Sequence, residues 1–412
     1  MKILVINAGS SSLKCCLYDV LAIGDKPALS LWEASIDWMH QPGVAEIKVE
    51  TDGAITAEGA FLREAIALDG KTQSRPYIVS RMLQMIWHGP TRVIDGPSMV
   101  DMIGHRVVHG GQTYVEPVRI TAEVKAEIGR LSTLAPVHNP ANLEGIEVAE
   151  HLFGDKTPQI AVFDTAFHSQ MPAFAAVYAG PYDWVAMGIR RYGFHGISHH
   201  YCAQQVAQLM QRELTELRLI TCHLGNGCSL AAIQNGHSID TTMGFTPLDG
   251  LMMGTRAGSV DPGILIHLMR QFGYDAERLD HELNKQSGLL GVSGVSSDMR
   301  LVLAAMQAGD ERATLAFDMY IHRICAGVGA MLMRLGQLDA LVFTAGVGEN
   351  APLVRERVCH ALAFLGVKMD PVKNQNHPLD ADIASGDSSA RVYVIHTQED
   401  WAIAQACWRY GV

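Results

Sequence analysis

The chain of 412 residues has no GxxxxGK[ST] loop, no HExxH pair and no CxxC spacing. Those absences remove a P-loop, an HExxH zinc site and a paired-cysteine framework. Charge is scarce, at 18% of residues, and its balance of −11 disfavours a nucleic-acid or anionic-membrane surface while leaving room for a local basic pocket. No uninterrupted apolar run reaches the roughly 18 residues of a transmembrane helix. Asn7 and the serines that follow interrupt any charged-then-apolar leader pattern. The expectation is a cytoplasmic protein with no membrane or nucleic-acid partner. Its eight cysteines sit mostly in apolar segments and read as reduced, buried thiols. What the chain does have is 48% hydrophobic residues, ample for the cores of two domains or one large one.

The first informative stretch is Asn7 to Lys14, NAGSSSLK. Ile3 to Ile6 reads as a buried strand and Leu13 to Tyr18 as another, so the serines form a hairpin turn. Two readings stand side by side: a structural turn, or a cradle of hydroxyls, backbone N–H groups and one ammonium that suits a phosphate. Leu217 to Ile233, LRLITCHLGNGCSLAAI, repeats the pattern of strand, glycine-rich turn and strand. Ser229-Leu230 lines up with Ser12-Leu13 at an offset of about half the chain, which predicts two similar lobes. Ala161 to Asp164 and Ala340 to Thr344 read as buried strands. Ala122 to Thr133, Asn142 to Leu152, Ser198 to Gln211 and Ala313 to Leu335 carry helical periodicity. From Gln41 to Gly96 the pattern is alternation and then a helix near Tyr77 to Trp87, a lobe-specific insertion.

Polar residues gather at strand–loop junctions. GHRVVHGG carries Arg106 and His109, VFDTAFH ends a strand on Asp164, and RRYGFHG sets Phe194 and His195 between glycines. His195 and His199 have a spacing that can hold zinc on a helix, but the adjacent glycine favours a loop there. Asp240 to Pro262 is long, irregular and rich in Gly, Thr and Met, with a lone arginine, Arg256, and irregular segments of that length are usually functional. FTAGVGEN places Gly346, Gly348, Glu349 and Asn350 after a strand and before a helix, a pattern that admits a nucleotide and favours anions. Each feature alone has a bland counterpart: a solvated arginine, a helix-capping aspartate, a tight turn.

Together these blocks resemble the acetate and propionate kinase family, whose superfamily includes sugar kinases, actin and heat-shock chaperones. The resemblance runs from Lys2 to about Gln405 and rests on VINAGSSSLK, HRVVHGG, APVHNPAN, FDTAFH, RYGFHG, CHLGNG, DTTMGFTPLDGLMMGTRAGSVDP, SSDMR, TAGVGEN and TQED. It implies an α/β fold of two duplicated actin-like ATPase lobes, each a mixed five-stranded sheet flanked by helices, with the active site in the cleft between them. The lobes would comprise residues 1–164 plus 400–412 (substrate and phosphate hairpin) and residues 165–399 (nucleotide binding and dimerisation), hinged near Asp164–His168.

The resemblance also implies roles. Lys14, Ser10 and Ser12 would lie near the ATP phosphates, and Asn7 and Glu399 near Mg²⁺, with Mn²⁺ as an alternative. His223, Leu224, Gly225, Asn226 and Gly227 would form the second phosphate hairpin. Asp298, Met299 and Arg300, with Gly346, Val347, Gly348, Glu349 and Asn350, would line the nucleotide. Asp164, His195 and Arg256 would be catalytic, and Arg106 would bind substrate. Val108, Val137, Phe194 and Pro247 would enclose a methyl group.

The implied reaction is acetate plus ATP giving acetyl phosphate and ADP, in a homodimer. Acetate is already a carboxylate at neutral pH, so it needs relief from charge repulsion rather than a base. Asp164 would therefore orient an arginine or a metal-bound water. Cys15-Cys16 and Val137 depart from the family pattern, and the smaller valine leaves room for propionate. A non-catalytic nucleotide-gated module would not need Arg106, His195 and Arg256 together, and a sugar kinase would need a polar pocket with an aspartate base.

Overall fold

The computed structural model describes residues 1–9, 12–24, 27–41, 43–51, 60–68, 73–376 and 378–411. The chain divides into two compact units, Met1–Ala166 with Gln398–Val412, and Phe167–Thr397.

The first unit is built on β1 (Lys2–Ala8) and β2 (Ser12–Asp19), an antiparallel hairpin whose β1 is buried from Ile3 to Ala8. β3 (Ser30–Gln41), β4 (Val44–Thr51) and β5 (Phe61–Ala67) extend it as an antiparallel meander. On the other side β6 (Met102–Val107) runs parallel to β1, and β8 (Gln159–Phe163) parallel to β6, with the two-residue β7 (Val118–Arg119) at the edge. The order is β5-β4-β3-β2-β1-β6-β8-β7.

The second unit has β9 (Arg218–Leu224) and β10 (Cys228–Gln234) as its hairpin, followed by β11 (His237–Thr241), β12 (Ala340–Thr344), β13 (Ala381–Asp382) and β14 (Arg391–Val394). The order is β11-β10-β9-β12-β14-β13.

The expected five strands per sheet are corrected to eight and six among the described residues. The five are nonetheless present as a shared part. β3-β2-β1-β6-β8 and β11-β10-β9-β12-β14 have the same order and the same antiparallel, antiparallel, parallel, parallel pairings. The extra strands of the first unit explain much of the segment from Gln41 to Gly96. Trp32, Ala34, Ile36 and Trp38 alternate inward on β3, and Ile36 pairs with Ile47 as Ala45 pairs with Ile66. The helix Arg75–Gln84, started by Ser74 and Pro76, joins this core with Ile78, Val79, Met82 and Leu83.

Two helices matter for the site. Asn139–Phe153 packs on β1 and β6, and Glu399–Gly411 packs on the same two strands. Gly104 on β6 admits the second, because a Cβ there would lie 2.6 Å from both Ile403 Cγ2 and Cys407 Sγ. In the other unit, Glu311–Leu335 buries Ala316, Phe317, Tyr320, Ile324 and Val328 and packs on β10. Among the described residues it alone is long and apolar enough to cross a membrane by length and composition. All eight cysteines are free, seven of them buried and Cys325 partly so.

Candidate active site

In the first unit the ends of three parallel strands converge. Arg106 sits near the end of β6 and Asp164 directly follows β8. Arg106 donates from Nε (3.0 Å) and Nη2 (2.5 Å) to Asp164 Oδ2, and from Nη1 to Asn7 Oδ1 at 3.3 Å. Asn7, on β1, donates to Asp400 Oδ1 at 2.8 Å and Glu399 Oε2 at 3.5 Å. Lys14 pairs with Asn7 across the hairpin, so both side chains stand on one face of the sheet. Ser12 opens β2 and its carbonyl accepts from Gly9 N–H at 2.8 Å; Ser10 lies outside the described residues.

The electrostatics follow from burial. Burial works against the Arg106 charge, but Asp164, Glu399 and Asp400 outweigh it and hold the guanidinium charged more firmly. Burial pushes the Asp164 carboxyl up and Arg106 pulls it down. The net shift is upward, and the twice-donating arginine is what opposes it. Burial and then Glu399 raise the Asp400 carboxyl, while Asn7 and Lys14 oppose them. Asp400 is thus a member of the cluster that sequence reading missed. Its only signal is its place beside Glu399 in TQED, at the start of a helix.

The segment after β6 is clamped by two buried asparagines of APVHNPAN. Asn142 accepts from Val108 N–H at 3.0 Å and donates to the Ala8 carbonyl at 2.8 Å, while Asn139 accepts from His109 N–H at 3.1 Å. Val108 is 2% exposed and Val137 is 43% exposed, so only the first is enclosed within its unit.

In the second unit the turn of the β9–β10 hairpin is the meeting point. A Cβ built on Gly227 would lie 3.3 Å from His195 Nε2 and 3.7 Å from Arg256 Nη1; one on Gly225 would lie 3.6 Å from Ala345 Cβ and 3.8 Å from His223 Nε2. Asn226 accepts, through its carbonyl, from Gly254 N–H at 3.0 Å, tying the turn to the irregular segment. Side chains at these positions would fill the space beside the two histidines and the arginine. The His195 and His223 rings stack at 4.1 Å. Arg256 donates to the Pro247 carbonyl at 3.2 Å, so Pro247 anchors the arginine as well as being a candidate pocket residue. His195 caps the start of the helix Gly196–Met210 with a left-handed backbone, φ 56°. Phe194 is 1% exposed. His195 and His199 both contact Ser229, and among the described residues no group of three His, Cys, Asp or Glu forms a metal cluster.

The nucleotide candidates are more divided. Asp298 caps the helix Met299–Gln307 and pairs with the exposed Arg300, whereas Met299 is 3% exposed and packs inward. GVGEN precedes the helix Pro352–Ala361 as expected, and also forms a short helix of its own, Ala345–Asn350. Gly346 and Asn350 are exposed, Val347 partly so, and Gly348 is buried. The Glu349 carboxylate is turned inward, accepting from Ala345 N–H and Thr397 N–H, each at 2.9 Å, and from His396 Nδ1 at 2.7 Å. Burial raises its carboxyl, but His396 and these N–H groups bring it below the usual range. Fully buried Arg355 donates to the Gly348 and Glu349 carbonyls and closes the other end of this short helix.

A profile of the Acetokinase family matches residues 2–405. The chain is 60% identical to the acetate kinase of Gloeobacter violaceus over 412 residues, covering 100% of this chain and 99% of that one. It is 60% identical to the acetate kinase of a Cyanothece species over 410 residues, 99% of this chain and 98% of that one. The crystal structure of Porphyromonas gingivalis acetate kinase superposes with TM-score 0.88 at 38% identity and full coverage of both chains. That of a Francisella tularensis propionate kinase does so with TM-score 0.88 at 37% identity, covering 99% of each. The two sheets, with their shared strand order, are duplicated actin-like lobes. The chain belongs to the acetokinase family.

Proposed function

We infer that the protein catalyses the reversible transfer of a phosphoryl group from ATP to acetate, giving acetyl phosphate and ADP. The observation that carries this reading is that each candidate substrate-facing arginine is held from behind: Arg106 by Asp164 and Asn7, Arg256 by the Pro247 carbonyl. Two fixed guanidinium groups suit a reaction between a carboxylate and a polyphosphate, where the obstacle is repulsion between anions. Acetate has no proton to lose, so the Asp164 carboxylate, engaged with Arg106, serves to orient that arginine rather than to act as a base. His195 and Arg256, both beside Gly227, donate to the transferred group, and Lys14 with the 223–227 hairpin holds the phosphates.

The family acts on ATP with a divalent metal, which we take to be Mg²⁺, with Mn²⁺ as an alternative. The donor chemistry suits a hard cation: the described residues hold no cluster of three carboxylates, but Glu399 offers carboxylate oxygens and Asp164 Oδ1 is buried with no hydrogen-bond partner among them, to which phosphate oxygens would add. When bound, the ion neutralises charge on the phosphates. Propionate is the natural second substrate, because the chain superposes as well on a propionate kinase. Asp298 and Arg300, with Gly346 and Asn350, are assigned to the nucleotide through their accessible positions, and the inward Met299, Gly348 and Glu349 support them from behind.

We assign a homodimer through the second lobe. The helix Pro262–Phe272 buries none of its residues and exposes Ile264, Ile266, Met269 and Phe272, an apolar face that a second copy would cover. Eight free thiols fit a reducing cytoplasm. The deciding experiment compares acetate, propionate, butyrate and glycerol with ATP and Mg²⁺. Acetate should give the highest kcat/KM; phosphorylation of glycerol with none of acetate defeats the reading.

A further inference from the structure

Behind His195 runs a row of polar side chains that the roles above leave unexplained. His195 Nδ1 lies 2.9 Å from Ser229 Oγ, which lies 2.7 Å from Nε2 of His199. His199 Nδ1 lies 2.7 Å from Thr221 Oγ1. Thr221, Ser229 and His199 are all fully buried, on β9, β10 and the helix Gly196–Met210. A second support comes from His168, also fully buried, whose Nε2 lies 3.0 Å from the Phe194 carbonyl. A carbonyl only accepts, so that nitrogen carries the hydrogen. The other His168 nitrogen then accepts from Ser238, 2.7 Å away. His168 thereby fixes the peptide that enters His195, whose backbone is left-handed.

A hydroxyl has one proton, so Ser229 donates to one imidazole and accepts from the other. The row therefore has two senses. In one, Thr221 donates to His199 Nδ1, His199 Nε2–H to Ser229, and Ser229 to His195 Nδ1, which leaves a neutral His195 with its hydrogen on Nε2. In the other, His195 donates to Ser229, and its Nε2 is bare unless the ring is a cation. Nε2 and the neighbouring Cε1 are the ring atoms beside Gly227, where Arg256 Nη1 also lies. A bare nitrogen there repels a phosphoryl oxygen, and a second cation there opposes the guanidinium. His223, stacked on the ring, and His199 are titratable groups that also lie around it.

Resting on the phosphoryl-transfer reading, we propose that Thr221, His199 and Ser229 are positioning residues that direct their protons toward His195. They hold it as the neutral tautomer with hydrogen on Nε2. His195 then donates to the phosphoryl group without being protonated, so the donor persists well above the ordinary histidine pKa of about 6.5. Burial, and then His168 and His223, keep His199 neutral, with its pKa well below 6.5, so this histidine carries a single hydrogen.

The direct test is nitrogen NMR of ¹⁵N-histidine-labelled protein at about pH 8, with His195→Gln identifying the signal. A protonated Nε2 with a bare Nδ1 is expected; the opposite tautomer, or an imidazolium, overturns the proposal. The functional test is Ser229→Ala across pH. Its kcat should fall about tenfold near pH 8, with the deficit shrinking toward pH 6 as the ring gains its own second proton, and KM for acetate and ATP unchanged. A loss independent of pH, or no loss, also overturns it. If wild-type protein makes no acetyl phosphate, the functional reading fails instead, and the NMR result still decides the sense of the row.

Discussion

Arg106 reaches Asp164 through a single carboxylate oxygen, Oδ2, to which both Nε and Nη2 donate, while Oδ1 is buried without a hydrogen-bond partner among the described residues. A side-on pair would use both oxygens and leave none for anything else. The end-on arrangement keeps one acceptor in hand near Asn7, Glu399 and Asp400, which are linked through Asn7.

Glu399→Ala should therefore raise the Mg²⁺ concentration needed for half-maximal rate more than it raises the acetate KM. The carboxylate is one of the few oxygen donors in this cluster, and a hard cation needs them. Magnesium titrations of initial rate, with acetate saturating, check this; an unchanged titration beside a disturbed acetate KM would contradict the placement.

Arg256→Ala should lower kcat by about two orders of magnitude or more while nucleotide binding survives. The guanidinium is fixed by the Pro247 carbonyl beside the hairpin turn, so it is placed before charge develops on the transferred group. Steady-state rates together with ADP titration by calorimetry separate the two effects.

Acid should destabilise the fold before the carboxylates titrate. Burial lowers His105, His109 and His168 from 6.5 to about 4. Between those values the unfolded chain binds protons that the folded chain does not, so stability is lost as pH falls from about 6.5 toward 4. Urea midpoints measured across that range should fall with pH. His105→Gln should flatten the slope, since its partner Gln159 offers an amide either polarity of hydrogen bond.

Val108→Ala should shift kcat/KM from acetate toward propionate by roughly tenfold, because removing two methyl groups makes room for the extra carbon, worth about 1–3 kcal/mol. Val108 is enclosed, and its backbone is pinned by Asn142, so the change is confined to the side chain. Equal ratios in both proteins would remove Val108 from the substrate pocket.

Much of this was legible in the residues because the signal was local. Ile3 to Ile6, Leu13 to Tyr18 and Ala340 to Thr344 are short apolar runs beside glycine or polar turns, and they are the strands β1, β2 and β12. What depended on distant partners was hidden. Asp400 acquires its role only through Asn7, far along the chain, and Ser229 only through two histidines of another helix. GVGEN is a poor helix sequence, with glycine at two of its positions. It forms a helix because Glu349 and Arg355 satisfy backbone groups at its two ends, a cause visible only once the chain is folded. β4 was legible as alternation, its inward Ala45, Ile47 and Val49 separated by Glu46, Lys48 and Glu50, but the burial of Glu46 depends on its pairing with Arg63 and Lys48.

The helix Glu399–Gly411 closes against β1 and β6, strands made at the other end of the chain. During synthesis the first unit therefore waits. Its sheet pairs early, yet one face around Gly104 stays bare, and Asn7 lacks Glu399 and Asp400, until residues 399–411 leave the ribosome. Phe167–Thr397 is continuous and carries its own core, so it meets no such delay. Assembly of the Asn7–Arg106–Glu399 cluster is thus a late step in folding, and the acidic arm reaches its place only after the second unit has been made.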